Sequence, residues 1–250
     1  MSGYGDFACY YDALTRNADY EKRAALIASL LKKYGRERGI LLDAACGTGT
    51  MSELFAAMGY EVIGVDASAE MLSEAMNKRF LSGSGILYLN QDLRALDLYG
   101  TIQCAVCCLD SLNHMPDEKG LREAIRSVGF FMEKDGVFVF DVNTEYKHER
   151  VLGDNAFVYE TDEVLCVWRN AWDPAEKRTD IHLDFFEPRE DGAYERAQED
   201  FSERFYSDAT LRACLASADF RVEEVLGEDG NAPREDEERV YYVCRKLKDQ

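Results

Sequence analysis

Apolar residues along this chain switch between two periods. Tyr20, Ala24, Ile27, Leu31 and Tyr34 recur at helical spacing and stop at Gly35, which predicts a helix over 20–34. Ile40-Leu41-Leu42 is a short apolar strand, followed by a glycine-bearing turn and a helix over about 51–58 that stops at Gly59. Glu61–Val65, Ile86–Leu89, Ile102–Leu109 and Val137–Val142 read as four further strands, the third of these apolar enough to be central. Ser68 can cap the helix between two of them, Pro116 suits the first turn of a helix running to about Met132, and Asp135-Gly136 is a turn. Strands alternating with helices predict a parallel sheet covered on both faces, with right-handed crossovers.

Beyond residue 150 the period shortens. Val164–Asn170, Thr179–Phe186 and Arg196–Tyr206 read as strands, with turns at Asp173-Pro174 and Asp191-Gly192. Ile181, Leu183 and Phe185 alternate with polar neighbours, as in an antiparallel sheet with one wet face. The α/β rhythm then returns, with a helix over 209–216 and strands at 222–226 and 240–244 flanking an acidic, solvated loop over 228–238. The expected organisation is one α/β domain, 1–150 with 207–250, carrying an antiparallel insertion over 151–206. That segment is too long for an ordinary connection and suits a lid or substrate platform. Trp168, Trp172, Phe185 and Phe186 read first as core of that insertion and second as a cage for substrate.

Charge narrows the partner class. The 250 residues carry 29 Lys+Arg against 48 Asp+Glu, a formal net charge of −19. A polyanion would be repelled, so a nucleic-acid partner is not expected, whereas a neutral or cationic small molecule is. There is no stretch long enough to span a membrane and no secretory signal, so the expectation is a cytoplasmic protein, monomer or homodimer, with its eight cysteines reduced. Cys104-Ala-Val-Cys107 lies in a strand, where residues three apart face opposite ways; buried thiols are expected and no metal site.

In doubly wound sheets ligands bind outside the carboxyl ends of the strands. The first strand ends in Asp43-Ala44-Ala45-Cys46-Gly47-Thr48-Gly49-Thr50, where two glycines let backbone approach a ligand and the next helix offers free N–H groups to a carboxylate. A dinucleotide needs a small residue three past Gly49, and Ser52 matches only in part; Asp43 would repel a pyrophosphate but attract an ammonium or sulfonium group. S-adenosylmethionine (SAM) carries both cations, and a carboxylate for the helix end. Asp66 ends the second strand near the separation of about 20 residues expected of a ribose-binding acid, the alternative being a cap on the next helix. Asn90-Gln91-Asp92-Leu93 ends the third, where an acid can take the adenine amino group and Leu93 can offer its N–H.

With Asp43–Thr50, Asp66 and Asp92 in this order, the chain resembles the class I SAM-dependent methyltransferases. Cys107–His114, Phe140–Asn143 and Tyr10-Tyr11-Asp12 are similar to a bacterial branch acting on small molecules, whose N-terminal segment folds over the cofactor. The resemblance implies a Rossmann-like seven-stranded sheet of order 3-2-1-4-5-7-6 with strand 7 antiparallel, and the insertion after strand 5 over the active site. It also implies SAM as methyl donor and S-adenosylhomocysteine as product. The implied cofactor contacts are Tyr11, Asp43, Ala45, Cys46, Gly47, Gly49, Asp66, Ala67, Met71, Gln91, Asp92, Leu93, Cys108 and Leu109.

The acceptor should sit after strand four. Leu109-Asp110-Ser111-Leu112 lacks the [N/D]-P-P-[Y/F] string of nucleobase amino-methylating enzymes, and no motif surrounds Cys108 as a nucleophile. Methyl transfer from a sulfonium is an in-line displacement whose leaving group needs no acid, so positioning and exclusion of water can carry it. Asp110, Asn113 and His114 are the catalytic candidates, with His114 the possible base; Tyr10, Tyr11 and Tyr146 are candidates to line the pocket. An aromatic lid over an acidic site favours an amine over an oxygen nucleophile. The rival readings are a non-catalytic SAM-binding module and an NAD-dependent oxidoreductase.

Overall fold

The computed structural model describes residues 7–15 and 18–249. Its elements are α1 (Phe7–Leu14), α2 (Tyr20–Lys33), β1 (Ile40–Ala44), α3 (Thr50–Ala57), β2 (Glu61–Asp66), α4 (Ala69–Ser82), β3 (Leu87–Asn90), β4 (Ile102–Cys107), α5 (Glu118–Phe131) and β5 (Met132–Asn143). There follow β6 (Ala156–Glu160), β7 (Leu165–Asp173), β8 (Arg178–Pro188), β9 (Tyr194–Arg204), α6 (Asp208–Ser217), β10 (Phe220–Leu226) and β11 (Arg239–Lys246). One sheet runs β3-β2-β1-β4-β5-β11-β10, with β11 antiparallel to both neighbours, the strand order and sense expected. The other is the antiparallel sheet β6-β7-β8-β9. Among the described residues no helix is long and apolar enough to cross a membrane.

Pleating divides the core. Leu42, Ala105, Cys107, Phe138 and Phe140 point to the α5/α6 side, while Leu41, Cys104, Val106, Val137 and Val139 point to the α2/α3 side. Cys104 and Cys107 therefore face opposite ways, and both thiols are pushed up by burial. The helix α5 explains its own docking: Leu121, Ala124, Ile125 and Val128 form one buried stripe, each larger side chain contributing about 1.5–3 kcal/mol. A third cluster joins Ala8 of α1 and Met71 of α4 to Val164, Cys166, Ile181, Leu183 and Phe185, so α1 is caught between the small sheet and α4.

Several boundaries differ from expectation. The helix after Pro116 starts at Glu118, because the Asp117 side chain caps it by accepting from Gly120 N–H at 2.7 Å. The small sheet has a fourth strand, β6, a short edge strand of exposed and half-buried residues that the three expected strands do not include. A single π-helical turn over Lys147–Leu152 links β5 to β6. The 228–238 loop is not simply solvated: Glu237 is buried and accepts the Glu228 N–H at 3.1 Å, and Glu228 pairs with Arg23 at 2.7 Å.

Candidate active site

At the carboxyl ends of β1, β2, β3, β4 and β5 lies a cavity of about 700 Å³, closed above by residues of the small sheet. Its first half is made largely of backbone. The β1–α3 loop turns through three left-handed residues, Ala45 (φ 59), Gly47 (φ 54) and Gly49 (φ 75). A Cβ at Gly47 would meet nothing within 4 Å, leaving the main chain open to a ligand, whereas one at Gly49 would strike Tyr88 and Ala75. Gly49 is also the N-cap of α3 and supplies no side-chain cap to its first-turn N–H groups. The Asp66 carboxylate accepts the Gly47 and Ser68 N–H groups, each at 2.8 Å, which ties the tip of β2 to that loop. Burial raises the Asp66 carboxyl even so.

Of the residues expected to touch a cofactor, Tyr11, Ala45, Gly47, Asp66, Ala67, Met71, Gln91, Asp92, Leu93 and Leu109 line the cavity. Asp43, Cys46, Gly49 and Cys108 stand behind its wall. The Asp43 carboxyl is buried, accepts the Ser52 hydroxyl at 2.6 Å, and is pushed up to about 6 by burial. Asp92 spends its carboxylate on Arg94, at 2.5 Å, and on the Arg94 N–H at 2.8 Å. Asp12 of α1 accepts the Thr48 and Thr50 hydroxyls at 2.7 and 3.1 Å and pairs with Lys78, so the N-terminal helix is latched onto the glycine loop.

The second half is a network of side chains. Ligand atoms of Asp110, His114 and Glu203 all lie within 4.8 Å of one another. That spacing could admit a cation, although Arg239 and Lys147 already bring positive charge there. Arg239 reaches Asp110 at 2.5 Å and also pairs with the buried Asp141. Lys147, on the π-helical turn, donates to Asn143 Oδ1 at 3.0 Å, and Asn143 Nδ2 donates to Glu203 at 2.8 Å. Burial alone would raise the Asp110 carboxyl, but Arg239, Lys147 and His114 outweigh it and hold it well below the carboxylate range. Burial and the Asp110 charge push Glu203 up to about 8, and burial lowers both His114 and Lys147. The His114 ring packs at 5.4 Å from Phe201, and Phe157, Tyr159 and Trp168 complete an aromatic wall.

Asn113 is brought to this half but not to its surface. Fully buried, it accepts the Asn143 N–H at 3.0 Å and donates to the Arg204 carbonyl at 2.8 Å, stapling the 111–114 turn to β5 and β9. Tyr146 is partly exposed and absent from the wall, Tyr10 stacks on Phe185 within the small sheet's core, and Trp172 stacks on His148. Of Trp168, Trp172, Phe185 and Phe186, Trp168 alone lines the cavity.

A methyltransferase-domain family model matches residues 41–136. A protein of Geobacillus sp. (strain WCH70) named "Putative methyltransferase" is 30% identical over 245 residues, covering 97% of this chain and 99% of its own. The chain belongs to the class I SAM-dependent methyltransferases. A SAM-dependent methyltransferase structure from Clostridium acetobutylicum ATCC 824 superposes with a TM-score of 0.87 at 30% identity, over 98% of this chain and 99% of that one. A shorter match, 28% over 139 residues (55% of this chain, 53% of its own), is to dTDP-3-amino-3,6-dideoxy-alpha-D-glucopyranose N,N-dimethyltransferase of Streptomyces fradiae. The protein is thus an enzyme whose methyl donor is SAM, which removes both the non-catalytic and the NAD readings.

In this methyltransferase the sequence pattern missed Arg23, Lys147, Glu203 and Arg239, all of which line the cavity. They come from α2, the π-helical turn, β9 and β11, far apart in sequence and joined only by the fold. Each sits among other charged residues at or near an element end, a common and uninformative setting.

Proposed function

We propose that this methyltransferase carries the methyl group of SAM to an amine nitrogen of a small molecule by in-line displacement. One observation supports it above others. The Asp110 carboxylate, held ionised, converges with His114 and the Glu203 carboxyl within 4.8 Å inside an aromatic-walled cavity. Carboxylates and aromatic faces attract an ammonium group. An ammonium has no lone pair, so it must lose a proton before attack; a base is required, and His114, lowered by burial, is neutral at pH 7 to take it. The dimethyltransferase of Streptomyces fradiae, by its name an amino-sugar N-methylating enzyme, lends support to nitrogen over oxygen.

The open backbone at Gly47, the uncapped start of α3 and the acid at the tip of β2 fit SAM. In this reading Asp66 takes the ribose hydroxyls, Ala67 and Met71 flank the adenine, and Tyr11 covers the donor. The buried Asp43 supports the amino end from behind the wall. When bound, SAM supplies an electrophilic methyl on a sulfonium. The chain's residues orient the acceptor, take its proton at His114 and exclude water beneath the 151–206 insertion, which acts as a lid.

The test is transfer from methyl-labelled SAM to two panels. Glycine, sarcosine, ethanolamine and a dTDP-3-amino sugar form one; a phenol and a carboxylic acid series form the other. Turnover confined to amines supports the reading, and turnover confined to the second panel ends it.

A further inference from the structure

Leu109 and Asp110 form a turn that no other pair in the site matches. Both are left-handed, at φ 57 and 55, and neither is glycine. Such residues persist only where their surroundings hold them, and they gather at functional sites. What holds this pair is a carboxylate beneath it. Asp141, on β5 and fully buried, accepts the Leu109 N–H at Oδ1 (2.8 Å) and the Asp110 N–H at Oδ2 (2.9 Å). Arg239 donates to the same Oδ2, and its other terminal nitrogen donates to Asp110 Oδ1 at 2.5 Å. A closed ring results, from Asp141 through two backbone amides to the Asp110 side chain, through Arg239, and back. Asp110 and His114 line the cavity and Asp141 does not.

We infer that Asp141 is a positioning residue: it clamps the strained Leu109–Asp110 turn so that the Asp110 carboxylate is presented to the methyl acceptor beside His114. This rests on the reading of the 109–114 segment as the acceptor side. The isosteric amide cannot do the same work. Asparagine has one acceptor oxygen for two amides, and its NH2 group would face either an N–H or the Arg239 guanidinium. Without the clamp the turn relaxes towards ordinary backbone and swings Asp110 away. A plain buried counter-ion for Arg239 would instead affect stability alone.

The experiment uses Asp141→Asn, Leu109→Gly and the double variant, each with SAM affinity by calorimetry, hydrogen exchange at residues 109–110, and acceptor kinetics with the best amine of the first panel. Asp141→Asn should retain SAM affinity, exchange faster at 109–110, and lose about 100-fold in kcat/KM for the amine, the scale of a 1 Å misplacement. Glycine adopts left-handed backbone without penalty, so adding Leu109→Gly should recover at least about tenfold, which a merely structural role would not allow. A lowered melting temperature with exchange and acceptor kinetics unmoved, or no recovery in the double variant, overturns the inference. If Asp141→Asn cannot be obtained folded, Arg239→Lys weakens the other arm, since a single ammonium nitrogen cannot reproduce the planar fork whose two separate nitrogens span Asp141 and Asp110. It should lower kcat/KM for the amine with SAM affinity kept, and unchanged kcat/KM overturns the clamp. Asp110→Asn separates the two failures. If it too leaves amine kinetics intact, the acceptor-side reading is at fault; if it is impaired while Asp141→Asn is not, the clamp alone fails.

Discussion

The two halves of the cavity are built by different means. The half proposed to hold the donor uses main chain, with left-handed residues at 45, 47 and 49 and the uncapped start of α3, and one acid per strand end at Asp66 and Asp92. The half proposed to hold the acceptor uses side chains from the 109–114 segment, the π-helical turn, β9 and β11; Lys147 bonds locally to Asn143, but the other links join residues 30 to 129 positions apart. A common cofactor can be held by backbone geometry encoded locally. An acceptor that differs between enzymes needs groups that can be exchanged one at a time without disturbing the sheet.

The largest effect tests the donor half. A valine at Gly49 must adopt φ near 75 and place its Cβ against Tyr88 and Ala75. Left-handed strain costs about 1–3 kcal/mol, and overpacking adds about 1–3 kcal/mol. Gly49→Val should therefore lose about 30-fold to about 10⁴-fold in SAM affinity by calorimetry, on the scale of 1.4 kcal/mol per decade. Parent-like affinity would show that the loop is not built as described.

His114→Gln sharpens the contrast from the other side. SAM affinity should stay, while kcat falls by about 10²–10⁴-fold, the range for a general base. The pH profile adds a sign. Burial lowers His114 despite the opposing charges of Asp110 and Asp66. The neutral imidazole is therefore present across the neutral range and is lost only as pH falls below the ordinary value near 6.5. The parent enzyme's kcat/KM should decline on that acid side, and the decline attributable to His114 should vanish in the variant. An identical acid limb in both would remove His114 from the proton's path.

This contrast also explains what could be read from the chain. The sheet order and the insertion followed from apolar periods and from the resemblance carried by Asp43–Thr50, Asp66 and Asp92, because backbone motifs are contiguous. Strand β6 escaped because Ala156-Phe157-Val158-Tyr159 is a short apolar run without polar alternation, and its alternating burial appears only once it pairs with β7. Asn113, expected as a catalytic candidate, lies in the same turn as His114 but is turned away as a staple: sequence places a residue on a turn but does not say which way its amide points. Glu203 was invisible for a similar reason. In β9 it follows Glu195, Glu199 and Asp200, of which only Glu199 is also buried, and only the register Thr179↔Glu203 and the hydrogen bond from Asn143 set it inward. Asp141 was noted within Phe140–Asn143 as part of a resemblance, but its clamp on Leu109 and Asp110 depends on β4 and β5 lying side by side.

The smallest expected effect concerns Asp92, where the donor half departs from its own pattern. The resemblance assigns this acid to the adenine amino group, but its carboxylate is held by Arg94, which lowers the carboxyl below its ordinary range. Both partners are about two-fifths exposed, so the pair contributes no more than about 1 kcal/mol. Removing the guanidinium in Arg94→Ala frees the carboxylate without disturbing the N–H bond that caps the turn. If adenine and Arg94 compete for the same oxygens, SAM binds slightly tighter in the variant, by less than about fivefold, the equivalent of that ceiling. If Arg94 is itself a wall of the adenine site, affinity falls instead. A fall beyond tenfold by calorimetry would make Arg94, rather than Asp92, the charged residue on which the donor half depends at the end of β3.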